Sequence, residues 1–106
     1  MKKSVLLGWA TWEVYASTII GSVRTYVKDG TCFIGKLMVH PEYQGRGIGA
    51  SLMAEIEKIS ATARYELFTG SKSEKNIRFY KRLGYQVFKN QIIGNDLSLV
   101  FLEKTF

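Results

Sequence analysis

Leu37-Met38-Val39-His40-Pro41-Glu42-Tyr43-Gln44-Gly45-Arg46-Gly47-Ile48-Gly49 runs from an apolar, strand-like stretch into a helical pattern through three glycines in five positions. Pro41 cannot donate to a sheet ladder, so the strand ends at His40-Pro41. Glycine tolerates positive φ and close approach, which lets consecutive N–H groups point into one concavity. The following helix adds its unpaired N–H groups and the positive end of its dipole, so a phosphate or pyrophosphate fits there, with residues Gly45 to Ala50 as donors. A Gly-x-Gly pair taken alone is weak evidence for this, since strand-to-helix turns use glycine for geometry alone. The Gly-Lys-Ser/Thr ending of a Walker loop is absent, and the glycine spacing is not that of the dinucleotide fingerprint.

Upstream, Lys28-Asp29-Gly30 predicts a tight hairpin between a strand over Ile19–Val27 and one over Thr31–Val39. Val5 to Tyr26 is β-like, rich in Trp, Tyr, Val, Ile and Thr, with a break near Ala16-Ser17-Thr18. Downstream, Ile48, Leu52, Met53, Ile56, Ile59 and Ala63 recur near the helical period and predict one buried helix face. Tyr65–Thr69 reads as a short strand that closes a strand-helix-strand unit, parallel to Thr31–Val39 by the right-handed crossover rule. A second helix is expected from Ser73 to Leu83, capped by Ser71 with Glu74 and stopped by Gly84 at C′. Two strands, Tyr85–Phe88 and Leu97–Glu103, finish the chain around a turn at Gly94-Asn95-Asp96. The fold class is α+β with a mixed sheet, and 106 residues without a linker or repeat are expected to form a single domain over 1–106, its segment 1–18 being atypical.

Fifteen Lys and Arg against nine Asp and Glu leave a net charge of +6, which suits an acidic ligand but does not choose among a nucleotide, a nucleic acid and a solvated face. Cys32 is the single cysteine, so no disulfide forms within the chain. Met1-Lys2-Lys3 followed by Ser4–Ala10 imitates a secretion signal, but the stretch is short and Glu13 soon follows. No run approaches the ~18 apolar residues of a membrane span. The expectation is a soluble cytoplasmic protein with no membrane association.

The quoted stretch resembles the signature of the GNAT acetyltransferases, a strand followed by Gln/Arg-x-x-Gly-x-Gly/Ala. A second signature of that family resembles Ser73-Glu74-Lys75-Asn76-Ile77-Arg78-Phe79-Tyr80-Lys81-Arg82-Leu83-Gly84-Tyr85, and the closing strand Leu97–Lys104 resembles the family's last one. The resemblance runs from about Ile19 to the end. It implies a mostly antiparallel GNAT-like sheet with flanking helices, whose parallel pair, Thr31–Val39 beside Tyr65–Thr69, splays apart. It further implies acetyl-CoA as co-substrate, with pantetheine along the free backbone of Leu37, Met38 and Val39. The pyrophosphate would rest on the N–H groups of Gly45, Arg46, Gly47, Ile48, Gly49 and Ala50, with Arg46 as a further cation and Gln44 opening the motif. Phe79 would pack beside the pantetheine, and Tyr80 would occupy the general-acid position. By helical spacing alone Tyr80 would be one more core aromatic beside Ile77 and Leu83.

The chain departs from the family pattern in three places. Ser73 stands where the family commonly has asparagine, so Ser73 and Asn76 are both candidates for that cofactor contact. Phe33 and Phe68 occupy the positions of the usual glutamates, Glu66 is expected to face elsewhere, and His40 is expected to be an exposed loop residue rather than a base. Finally, 36 residues precede Leu37, fewer than the family's first strand, two helices and hairpin require, so the acceptor wall is expected to be shortened. Leu6, Leu7, Trp9 and Trp12 either replace that wall or bury against a second copy, the homodimer reading being the one adopted. The predicted activity is acetyl transfer to a small-molecule or peptide amine. The rivals are a non-catalytic acetyl-CoA-binding module and a basic nucleic-acid-binding domain; the sequence shows neither a clustered basic helix nor an aromatic platform for the latter. No metal is expected.

Overall fold

The structure, a computed structural model, describes residues 1–106. Its strands are β1 (Lys2–Leu6), β2 (Trp9–Tyr15), β3 (Ile19–Lys28), β4 (Thr31–Val39), β5 (Arg64–Gly70), β6 (Gln86–Ile92) and β7 (Ser98–Thr105), and its helices α1 (Ile48–Ile59) and α2 (Glu74–Arg82). One seven-stranded sheet has the order β1-β2-β3-β4-β5-β7-β6, antiparallel except where β4 meets β5. This is the mixed α+β architecture expected. The Asp29-Gly30 turn forms as predicted, with φ of 51° and 77° and Lys28 opposite Thr31. The stretch that imitates a secretion signal forms β1, a second tight turn at Leu7-Gly8 and the start of β2. No helix is long and apolar enough to cross a membrane.

Both helices pack on the same face of the sheet. Leu52, Met53 and Ile56 of α1 are buried against Val23, Cys32, Ile34, Tyr65, Leu67 and Leu102, and Ile77, Tyr80 and Leu83 join the same core. Each fully buried aliphatic side chain contributes roughly 1.5–3 kcal/mol of transfer free energy. The periodic pattern overran the helix: α1 stops at Ile59, which is exposed, and Ala63 lies beyond it at the surface. Trp12 belongs to this core, its indole N–H donating to the Thr25 hydroxyl at 2.9 Å. Trp9, three residues earlier, projects to the opposite face and meets Tyr26 at 5.4 Å between ring centroids. The two tryptophans therefore do not share one surface.

Cys32 is wholly buried, and that burial pushes its thiol up to about 11. The thiol stays protonated at neutral pH, and its contribution to stability is complete below the ordinary thiol value and lost as pH rises through about 11. At pH 8 a thiol-reactive disulfide reagent is expected to label the native protein at least about 100-fold more slowly than the protein in denaturant, labelling being thiolate-dependent. Equal rates would place Cys32 at the surface.

The chain after α2 turns as its glycine predicts. Gly84 has φ of 98°, its N–H donates to Lys81 O and the Tyr85 N–H donates to Tyr80 O, which also accepts the Leu83 N–H, so carbonyls of the last turn are satisfied. The predicted capping box at the other end is not formed. Ser73, not Ser71, is at the N-cap and makes no side-chain cap bond, while the Ser71 hydroxyl pairs with that of Ser98 on β7. A cross-sheet partner competed for the hydroxyl that the local pattern assigned to the helix.

The feature that shapes the site is a bulge in β4. Arg24 lies opposite Gly35 but Ser22 lies opposite Met38, so one extra residue is inserted in β4, and Lys36 takes φ of 50°. Beyond it β4 leaves β5: the two strands pair only over Thr31–Arg64, Cys32–Tyr65 and Phe33–Glu66. A left-handed backbone costs a non-glycine residue about 1–2 kcal/mol, and glycine gives back about 0.5–1 kcal/mol of that in chain entropy. Lys36→Gly is therefore expected to stabilise the fold, raising Tm by about 2–4 °C in a thermal melt. A lower Tm would mean that the Lys36 stem contributes more than its backbone costs.

Candidate active site

The gap between β4 and β5 opens into a cavity of about 500 Å³ between the end of β4, the glycine loop and α2. Its floor is the splayed end of β4. His40 N–H donates to Ile20 O at 2.8 Å and Met38 lies opposite Ser22, so Met38 and His40 turn their backbone groups to β3. Leu37 and Val39, in alternation, direct theirs into the gap. Val39 O accepts from the Gln44 side-chain amide at 3.1 Å, which leaves the Val39 N–H as the open donor. The sequence reading grouped Met38 with Leu37 and Val39; its backbone is committed to the β3 ladder, and its side chain is exposed on the far face and does not line the cavity.

The glycine loop forms the near wall. Pro41–Tyr43 is a single 3-10 turn, Gln44 N–H reaches Pro41 O at 3.4 Å, and the next backbone bond of this segment is Ser51 N–H to Gly47 O at 3.0 Å. The N–H groups of residues 45–50 thus have no backbone acceptor and sit where a helix begins. Gly45 and Gly47 hold φ of 77° and 79°, with open space where a Cβ would stand, so backbone conformation rather than crowding requires glycine there. At Gly49 crowding decides, since a Cβ would lie 3.3 Å from Phe79 Cζ and 3.7 Å from Val39 Cγ2.

Helix α2 forms the opposite wall with Asn76, Phe79 and Tyr80. Tyr80 also packs on the core, edge-on to Phe79 at 5.2 Å and to Tyr85 at 6.0 Å, so the two readings of this residue are compatible. Burial holds its hydroxyl above the usual tyrosine value and keeps it protonated.

Of the residues singled out from sequence, Leu37, Val39, Gln44, Gly45, Gly47, Ile48, Gly49, Ala50, Asn76, Phe79 and Tyr80 line this one cavity. Arg46 and Ser73 do not. The Arg46 guanidinium lies over the Tyr43 ring at 5.0 Å, an arrangement that a planar cation on an aromatic face favours over reaching inward. Ser73 sits at the α2 N-cap, its hydroxyl beside Gly70. Three lining residues escaped the sequence reading: Tyr43, Lys75 and Arg82. The last two could have been found from Asn76, Phe79 and Tyr80, because positions three or four residues away share their helix face. His40 is half-buried, its Nδ1 accepting the Glu42 N–H at 3.1 Å to cap the 3-10 turn, which turns it away from the cavity.

The family model "Acetyltransferase (GNAT) domain" matches residues 9–87, most of this chain. The chain belongs to the GNAT acetyltransferase family. Among curated relatives, an uncharacterized N-acetyltransferase of Methanocaldococcus jannaschii is 38% identical over 70 residues, a stretch that is 63% of this chain and 30% of that protein. The chain thus corresponds to under a third of that relative. Two solved structures share the fold: an acetyltransferase from Bacillus cereus, with TM-score 0.80 and 24% identity over 92% of this chain and 73% of that one, and a GNAT family acetyltransferase from Elizabethkingia anophelis with acetyl-CoA bound, with TM-score 0.81 and 19% identity over 93% of this chain and 77% of that one. In this GNAT domain the sheet face away from the helices carries Trp9, Tyr26, Phe33, Phe68 and Phe101, with Phe68 58% exposed, and no helix covers it.

Proposed function

We propose that this domain transfers an acetyl group from acetyl-CoA to a primary amine. The observation that carries the reading is the splayed end of β4 leading straight into a loop of six unpartnered N–H groups, with a half-buried tyrosine, Tyr80, across the gap. The residues present fit acetyl-CoA. The loop amides and the helix dipole suit a diphosphate, Lys75 and Arg82 at the rim supply positive charge, and the apolar Leu37, Val39 and Phe79 suit a pantetheine arm. The bound coenzyme supplies an activated acetyl group and a thiol leaving group.

The chain's own part is positioning, charge stabilisation and one proton. The Val39 N–H faces the gap where a carbonyl oxygen gains negative charge. Tyr80, kept neutral by burial, gives a proton to the departing sulfur. Holding amine and thioester together accounts for much of the remaining acceleration. A cytoplasmic homodimer belongs to the same proposal, supported by the single thiol and by Leu6 and Leu7, which are 75% and 88% exposed at the tip of the first hairpin.

The test is thiol release from acetyl-CoA by purified protein across a panel of amines, paired with calorimetric titration of the coenzyme. Release that depends on both amine and protein supports the reading. A protein that does not bind the coenzyme ends it. A non-catalytic acetyl-CoA-binding module is the second reading, favoured by the lack of any carboxylate lining the cavity; turnover with a single amine dismisses it.

A further inference from the structure

We infer that Tyr85 and Glu57 are positioning residues for the transfer step: through the Tyr85 hydroxyl, the Glu57 carboxylate fixes the end of α2 that aims Tyr80 into the gap between β4 and β5. The inference rests on the transfer reading above, in which Tyr80 is the proton donor, and adds to it two residues that do not line the cavity.

Helix α2 carries Tyr80 but buries none of its residues completely. Ile77, Tyr80 and Leu83 are only half-buried on the core, and the ion pair of Glu74 with Arg78, at 3.9 Å, lies in solvent and stays within the helix. What holds the C-terminal end of α2 is a residue just past it. Tyr85 is 2% exposed. Its N–H donates to Tyr80 O at 3.1 Å, an acceptor shared with the Leu83 N–H at 3.0 Å, and its ring meets the Tyr80 ring edge-on at 6.0 Å. Backbone and ring of the proposed donor therefore both bear on Tyr85.

Tyr85 is in turn fixed from α1 and from the sheet. Its hydroxyl donates to Glu57 Oε2 at 3.0 Å, and the other oxygen of that carboxylate accepts from Lys104 Nζ of β7 at 2.8 Å. The Tyr65 hydroxyl of β5 lies 2.9 Å from Glu57 O and 2.6 Å from Ser60 O, so the last turn of α1 is held at its backbone as well. Gly84 lets the chain pass this cluster, since a Cβ there would stand 3.2 Å from Lys104 Cε. Glu57 and Lys104 are both half-buried, and a pair of that kind adds little net stability over apolar residues of the same volume. What it supplies here is direction: a carboxylate held on both oxygens accepts the Tyr85 hydroxyl at one place. A misplacement of about 1 Å at a catalytic group, caused from a distance, costs up to about 100-fold in rate.

The test is a double-mutant cycle on kcat for thiol release, with an amine that the wild type acetylates. It compares wild type, Tyr85→Phe, Tyr80→Phe and the double variant, with Tm and the calorimetric Kd for coenzyme A read on each. Tyr85→Phe keeps the ring, the backbone tie and the Glu57–Lys104 pair and removes one hydrogen bond. It is expected to lower kcat at least about 10-fold with the coenzyme Kd within about 2-fold. In the Tyr80→Phe background it is expected to change kcat by less than about 2-fold, since a misdirected donor matters only where a donor exists. An equal loss in both backgrounds overturns the inference, as does no loss in the wild type. Thr25→Val, which removes the acceptor of the Trp12 indole elsewhere in the core, is the control for lost stability alone: it is expected to lower Tm and leave kcat within about 2-fold. A kcat loss there equal to that of Tyr85→Phe also overturns the inference. If Tyr85→Phe does not fold, Glu57→Leu combined with Lys104→Met removes the acceptor and its counter-charge together and is measured in the same two backgrounds, with the same expectation. Absence of thiol release from every amine removes the transfer reading and this inference together, and undiminished release by Tyr80→Phe removes the donor and the inference. Release that falls in Tyr80→Phe but not in Tyr85→Phe removes the inference alone.

Discussion

Tyr80→Phe is expected to lower kcat for thiol release by at least about 100-fold, the usual worth of one positioned proton donor, while leaving the calorimetric Kd for coenzyme A within about 2-fold. The ring stays: its contacts with Phe79 and Tyr85 and its place on the core are made by carbon atoms, so neither the fold nor the cavity wall depends on the hydroxyl. Only the proton is removed. Because burial raises the hydroxyl above the ordinary tyrosine value, the wild-type donor is present throughout the neutral range and is lost as pH climbs through that raised value. A kcat that survives the substitution would reduce Tyr80 to a packing residue.

Gly49→Leu is expected to weaken coenzyme binding by about 100-fold, roughly 3 kcal/mol, with secondary structure retained by circular dichroism. The position already tolerates little: the first added carbon stands 3.3 Å from Phe79 and within 4 Å of Val39 and Leu37, all three of them cavity walls. Further atoms of a leucine side chain have the cavity itself as their nearest free volume. Gly49→Ala asks only that the Phe79 ring yield a few tenths of an ångström and is expected to bind the coenzyme nearly as the wild type does. Tight binding by the leucine variant would show that the coenzyme does not use this cavity.

The two substitutions probe residues that were legible for different reasons. Gly49 stands in the first turn of α1, in a segment whose chemistry is local: alternating glycines before a helical pattern announce free amides wherever the rest of the chain goes. Tyr80 could be read in isolation only as a member of a helix face, and the resemblance to a family motif added a role that periodicity does not contain. That Met38, the Arg46 guanidinium and Ser73 do not line the cavity was hidden by the same limitation. Each belongs to the right segment, but strand alternation, an aromatic neighbour and a cap position decide where its groups point. Lys75 and Arg82 were overlooked because exposed cations on a helix usually face solvent, and only the packing of α2 beside the glycine loop turns these two toward a cavity.

By itself the sequence determined the local events: the turn at Asp29-Gly30, the strand that Pro41 ends, the helix opened by Gly47, and the stop at Gly84. These depend on backbone conformations and periodicities that neighbouring residues impose on one another, so no distant contact is needed to read them. The tertiary structure alone decided the bulge that places Lys36 at φ of 50°, the resulting separation of β4 from β5, and which of the two oppositely facing tryptophans, Trp9 and Trp12, joins the core. Register and splay are properties of paired strands, and a shift of one residue moves every side chain to the other face of the sheet. That information lies in the contact between segments far apart in the chain.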